Sequence, residues 1–148
     1  MDVTVRPIAI DSAAAIDLGR AAGLEEAEGD TDGMVVRWGA FEGSRLVGTI
    51  GLRRWRGLYI IAWMVVAEDR RGLGLGSRLL ARAEREALDK GADRIWVLAR
   101  APGFYVGAGY VPVDAGPECA MLFTSCDGCE QLGVTCHPRV AAKDLAPT

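Results

Sequence analysis

Residues 58–77 read LYIIAWMVVAEDRRGLGLGS, and their pattern decides the architecture. The first nine are an unbroken apolar run of strand length, without the polar alternation of a strand that has one wet face, so a central strand buried on both sides is expected. Glycine then stands at every second position in Arg71-Gly72-Leu73-Gly74-Leu75-Gly76-Ser77. That spacing lets the backbone turn tightly and brings successive N–H groups close to a ligand. From here Leu75, Leu79, Leu80, Ala83, Ala87 and Leu88 recur at helical spacing, opposite Arg78, Arg82, Glu86 and Lys90, with Gly91 as the stop. A buried strand, a glycine-rich turn and a helix start make a cradle suited to phosphate, because the helix N-terminus adds about half a unit of positive charge to the converging amides. A tight turn with no ligand is the competing reading.

Outward from this stretch, RIWVLA (94–99) reads as a second buried strand; one helix joins it to the first, so a right-handed crossover and a parallel pair are expected. Upstream, MVVRWGAF (34–41) and RLVGTIGLRR (45–54) flank Glu42-Gly43-Ser44 and predict an antiparallel hairpin with a three-residue loop. Val3, Val5 and Ile8 suggest a first strand, followed by a helix that Asp11 or Ser12 caps and Gly23 ends. Glu25, Glu26, Glu28, Asp30 and Asp32 crowd into an exposed segment closed by Gly33. Downstream, Pro102 through Val106 fit a short helix, Tyr110 to Val113 a strand, and CAMLFT (119–124) a final strand. Residues 1–124 then form one α/β domain, with 125–148 as a cysteine-containing extension packed on it or trailing from it.

The chain has 148 residues, enough for one domain with a core of its own. Half the residues are hydrophobic and a quarter charged, the balance of a globular protein, and a net charge of −3 supplies no basic field for nucleic acid. No apolar run reaches the length needed to cross a bilayer, and no export signal is evident, so a cytoplasmic location without membrane attachment is expected.

Three phosphate-binding loops compete for the glycine turn. A nucleoside-triphosphate loop ends in Gly-Lys-Ser/Thr, whereas this one ends Gly76-Ser77 with no lysine. A dinucleotide loop follows the first strand of its βαβ unit, with an acid about 20 residues on, and a turn near residue 72 that comes after a hairpin fits poorly. A coenzyme A pyrophosphate loop remains. Here the chain resembles the GNAT superfamily of N-acetyltransferases, whose signature Arg/Gln-x-x-Gly-x-Gly/Ala opens a helix after the fourth strand. Arg71, Gly74 and Gly76 match it, while Phe104-Tyr105 and Gly109-Tyr110 reproduce a downstream aromatic pair and a glycine-aromatic ending. The resemblance spans about residues 3–124.

It implies a mixed, mostly antiparallel sheet of six to seven strands flanked by helices, with strands four and five parallel and splayed. It also implies acetyl-coenzyme A as cosubstrate, its pantetheine arm on the backbone of Met64, Val65 and Val66. The pyrophosphate would lie on the turn formed by Arg71, Gly72, Leu73, Gly74, Leu75, Gly76 and Ser77. The N–H of Val65 or its neighbour would polarise the thioester carbonyl, an oxyanion-type role. Tyr105 matches the general-acid tyrosine; the alternative is a core aromatic whose hydroxyl merely finds a partner. The acidic residue that many members carry in the fourth strand is absent from Leu58–Val66, so the base falls to water or to Glu25, Glu26, Glu28, Asp30 or Asp32, which otherwise form a solvated face. Ala99 and Arg100 stand where an asparagine is frequent, leaving cofactor contacts there unassigned. The implied reaction is acetyl transfer to a primary amine, of a small molecule or a peptide, by direct attack on the thioester. The rival class is a non-catalytic acyl-coenzyme A binding or regulatory module with a metal- or partner-binding tail. Neither the acceptor nor the oligomeric state, homodimer included, is legible.

Cys119, Cys126, Cys129 and Cys136 all lie in the last fifth of the chain. Cys126-Asp-Gly-Cys129 has the spacing of a zinc knuckle, and Cys119, Cys136 and His137 add donors, so zinc is one reading. No second knuckle exists and Cys136 adjoins His137; reduced free thiols are the reading adopted, with no metal residue assigned. Arg53, Arg54 and Arg56 bracket Trp55 and suit either an acceptor carboxylate or a solvated hairpin end; the latter is adopted.

Overall fold

The computed structural model describes residues 2–23, 33–100, 102–123 and 138–145. Among these residues seven strands, β1 (Thr4–Ile8), β2 (Met34–Glu42), β3 (Arg45–Trp55), β4 (Leu58–Val66), β5 (Arg94–Ala99), β6 (Val111–Pro112) and β7 (Arg139–Asp144), form one sheet in the order β1-β2-β3-β4-β5-β7-β6. Only β4 and β5 pair in parallel; the other neighbours are antiparallel. The helices are α1 (Ala13–Ala21), α2 (Leu75–Asp89), α3 (Pro102–Gly107) and α4 (Pro117–Phe123).

Local chemistry explains most of these elements. Ser12 caps α1, its hydroxyl accepting the N–H of Ala15 at 3.3 Å. The loop from β2 to β3 is two residues, Gly43-Ser44, because Glu42 already pairs with Arg45, one residue shorter than the pattern suggested. Trp55 and Leu58 pair across Arg56-Gly57, both at positive φ (50° and 82°), as a two-residue hairpin requires. Helix α2 buries Leu75, Leu79, Leu80, Ala83 and Ala87, the stripe read from the sequence.

Strand alternation sorts the core into two layers. Tyr59, Ile61, Ile95, Val97 and Ala141 pack with α2 on one face, and Ile60, Trp96, Val140 and Ala142 pack with Cys119 and Leu122 of α4 on the other. CAMLFT is therefore helical over Cys119–Phe123, not a final strand. Pro117 and Glu118 suit a helical first turn, and Cys119 and Leu122, three apart, share the buried side. Among the described residues the last strand is β7, which lies in the stretch read as an extension and inserts between β5 and β6. Among the described residues no helix is long and apolar enough to cross a membrane.

Candidate active site

A 3₁₀ turn, Glu68–Arg70, leads from β4 into the glycine stretch. Two guanidinium–carboxylate pairs pin it to the hairpin beside it: Arg70 donates to both Glu42 oxygens at 2.8 and 2.9 Å, and Arg45 to both Asp69 oxygens at 3.0 and 2.9 Å. These hydrogen bonds hold the Glu42 and Asp69 carboxyls below their ordinary range. Of the two adjacent arginines Arg70 is thus engaged in structure, while Arg71 is exposed and, among the described residues, its side chain makes one bond, to the Val66 carbonyl at 3.3 Å.

Gly72 and Gly74 sit at φ 78° and 81°, and open space surrounds both. Gly74 is the N-cap of α2, with no side-chain cap and no acid in the first turn. The amides at this helix start therefore lack the partner that a capping side chain provides. Gly76 has a different function. A Cβ there would lie 3.3 Å from the Phe104 ring and 3.8 Å from Met64 Cε, so its bare backbone lets the first turn of α2 pack on β4 and α3.

β4 and β5 part early. Their register holds only Tyr59↔Ile95, Ile60↔Trp96 and Ile61↔Val97, although β4 runs to Val66 and β5 to Ala99. On its other edge β4 carries one extra residue: Gly51 pairs with Ala62 and Thr49 with Val65, leaving Trp63 and Met64 opposite Ile50. Trp63 has φ 52°, the signature of a bulge, at a strain on the order of 1–3 kcal/mol for a non-glycine residue. Its ring lies so close to α1 that a Cβ on Gly19 would collide with it. The Arg37 guanidinium, buried in β2, lies 5.7 Å from the ring centroid. The sequence gives no sign that Trp63 turns the strand, since an aromatic in an apolar run reads as ordinary core.

Tyr105 stands at this parting on the α2 face. It is buried, its ring edge-on to Phe104 at 5.1 Å and to Tyr110 at 5.4 Å, and its hydroxyl lies 3.9 Å from the Met64 sulfur. Burial pushes its ionisation well above the ordinary tyrosine value, so it stays protonated. Tyr110 is fixed by Glu84, which accepts its hydroxyl at 2.8 Å and the Lys143 ammonium at 3.3 Å.

On the opposite face, a cavity of about 170 Å³ adjoins the parted strands, lined by Arg53, Trp55, Ala62, Trp63, Leu98 and Leu122 among others. Glycine turn, Tyr105 and Met64 thus gather on one side of the gap, and this cavity on the other. Leu75 is buried, whereas Leu73 is exposed. Glu25, Glu26, Glu28, Asp30 and Asp32 lie outside the described residues, as do Cys126, Cys129, Cys136 and His137; Cys119 is buried against Ile60 and Trp96. Among the described residues no cluster of three metal-ligating side chains occurs.

A mixed sheet whose parallel pair opens beside a glycine turn and a helix start is the architecture of the N-acyltransferases. Solved structures with this fold include N-acetylglutamate synthase from Neisseria gonorrhoeae, complexed with coenzyme A and N-acetyl-glutamate (TM-score 0.76, 18% identity). That match covers 99% of this chain but 36% of the synthase, so the chain spans about a third of that protein. A GNAT family acetyltransferase from Elizabethkingia anophelis with acetyl-CoA bound has TM-score 0.73 at 18% identity, covering 97% of this chain and 98% of its own. PaiA N-acetyltransferase from Thermoplasma acidophilum, in complex with coenzyme A, has TM-score 0.69 at 16% identity, covering 97% and 99%. No curated protein matches the sequence. The profile of the acetyltransferase (GNAT) family matches residues 11–110, about two thirds of the chain, and the protein belongs to that family.

Proposed function

We propose that the protein transfers the acetyl group of acetyl-coenzyme A to a primary amine by direct attack on the thioester. The observation that carries this reading is the gap between β4 and β5, reached from one face by the glycine turn and Tyr105 and from the other by the cavity. Two substrates meeting across a sheet need no covalent enzyme intermediate.

The amides from Gly72 to Ser77, with the Arg71 guanidinium, hold the pyrophosphate at the uncapped start of α2. Met64, Val65 and Val66, beyond the last β4–β5 rung, offer backbone groups to the pantetheine arm, and the Val65 N–H polarises the acetyl carbonyl. A neutral amine entering from the cavity forms the new N–C bond as the C–S bond breaks. Tyr105 delivers its proton to the departing sulfur and water takes the proton from nitrogen, so the hydroxyl is restored from solvent. The Met64 thioether shows that the Tyr105 hydroxyl already points at a soft sulfur acceptor.

Gly74→Glu tests the cradle. Its side chain would put a negative charge at the helix start and strain a residue at φ 81°, so coenzyme binding is expected to disappear from calorimetric titration with the fold intact. Unchanged affinity would place the phosphates elsewhere. Thiol release from acetyl-coenzyme A over an amine panel tests turnover, and tight coenzyme binding with no release would instead mark a binding module.

A further inference from the structure

Among the described residues, the lining of the cavity facing the gap is apolar and aromatic except for one cation. Arg53 lines it, half-buried at the end of β3, and its Nε is fully buried without a hydrogen-bond partner. Its guanidinium stacks over Trp55 at 4.9 Å, and Arg56 covers the same ring at 5.0 Å. Among the described residues no carboxylate pairs with Arg53, Arg54 or Arg56, whereas Arg45, Arg70, Arg85, Arg94 and Arg139 each have at least one. A guanidinium in a cavity wall with no carboxylate partner is short of an acceptor, and a planar carboxylate matches its fork.

We propose that the amine acceptor is a small amino carboxylate, with its carboxylate held by Arg53 against Trp55 and its amine directed to the gap at Ala62–Trp63. This specifies the acceptor of the acetyl-transfer reading above and rests on it. The size of the site favours a small molecule: about 170 Å³ is the room of five or six liquid waters, below the usual range for drug-sized ligands. Trp63 and Leu98 supply apolar walls for a short side chain. The solvated-hairpin reading of these arginines holds for Arg54 and Arg56, which are exposed, and fails for Arg53.

The test compares free amino acids with their C-terminal amides, with n-butylamine and with aminoalkylphosphonates, by thiol release from acetyl-coenzyme A. Free carboxylates should exceed their amides in kcat/KM by about 10- to 100-fold, the worth of hydrogen bonds to a charged group. Arg53→Met should erase that preference by raising acceptor KM, while coenzyme affinity stays at the wild-type value and so certifies the fold. Arg53→Lys, which keeps charge but loses the fork, should retain part of it. Equal use of amides, preference for phosphonates, a carboxylate preference that survives Arg53→Met, or turnover confined to n-butylamine would overturn the proposal and leave acetyl transfer standing. A flat coenzyme titration would remove the acetyl-transfer reading itself.

Discussion

Tyr105 is packed like a core residue and is the proton donor of the proposed reaction, and a single atom separates the two roles. Phenylalanine would keep both edge-on ring contacts and lose only the hydroxyl that faces Met64. Tyr105→Phe should therefore fold normally and lower kcat by about 100-fold or more, the usual worth of a positioned proton donor, with little change in coenzyme affinity. The pH dependence follows from its burial. An acid acts only while protonated, and ionisation raised above the ordinary value of 10.0 keeps it so; kcat should climb as the amine loses its proton and show no falling limb below about pH 10. A decline between pH 7 and 9 would assign proton donation elsewhere. The family resemblance pointed to this residue through a short aromatic motif, but its burial and its sulfur neighbour depend on α3 packing near Met64 of β4, which no local pattern reports.

Elements position the site through two close approaches. The hairpin end clamps the 3₁₀ turn through Glu42 and Asp69, and α1 meets the β4 bulge at Gly19 and Trp63. Gly19→Ala drives a methyl into the Trp63 ring; it should destabilise the fold by about 1–3 kcal/mol in chemical denaturation and raise acceptor KM more than coenzyme KM. Unchanged stability would mean that the ring has room to move. Strand β4, the glycine turn and α2 were legible because each declares itself within a few residues: an apolar run, alternating glycines, a leucine stripe. The bulge was not, because one extra residue in a strand leaves no compositional mark and shows only in the register against β3. CAMLFT failed for a related reason. Six mostly apolar residues fit either period, and the choice fell to Pro117 and to what the chain packs against.

At the scale of the whole molecule, the glycine turn and the cavity beside Arg53 lie on opposite faces of the sheet, a separation set by alternation along β4 and β5 and stabilised by α2 and α4. The parallel crossover was readable from chain order. The place of β7 was not: Val140, Ala141 and Ala142 are buried, yet two alanines beside charged Arg139, Lys143 and Asp144 carry too little hydrophobic signal to announce an interior strand. Arg53 was visible as one of three arginines, and only its buried Nε and the cavity beside it set it apart.

Three rungs between β4 and β5 are a short seam for a seven-stranded sheet, and they join the hairpin half to the half that holds β5, β7 and β6. A pantetheine arm laid along Met64–Val66 would add stitches to that seam. Amide hydrogen exchange should then slow on coenzyme binding along both margins of the seam, at Ala62–Val66 and at Leu98–Ala99, more than in β1 or the outer turn of α2. Equal slowing everywhere would mean that the halves were already fastened.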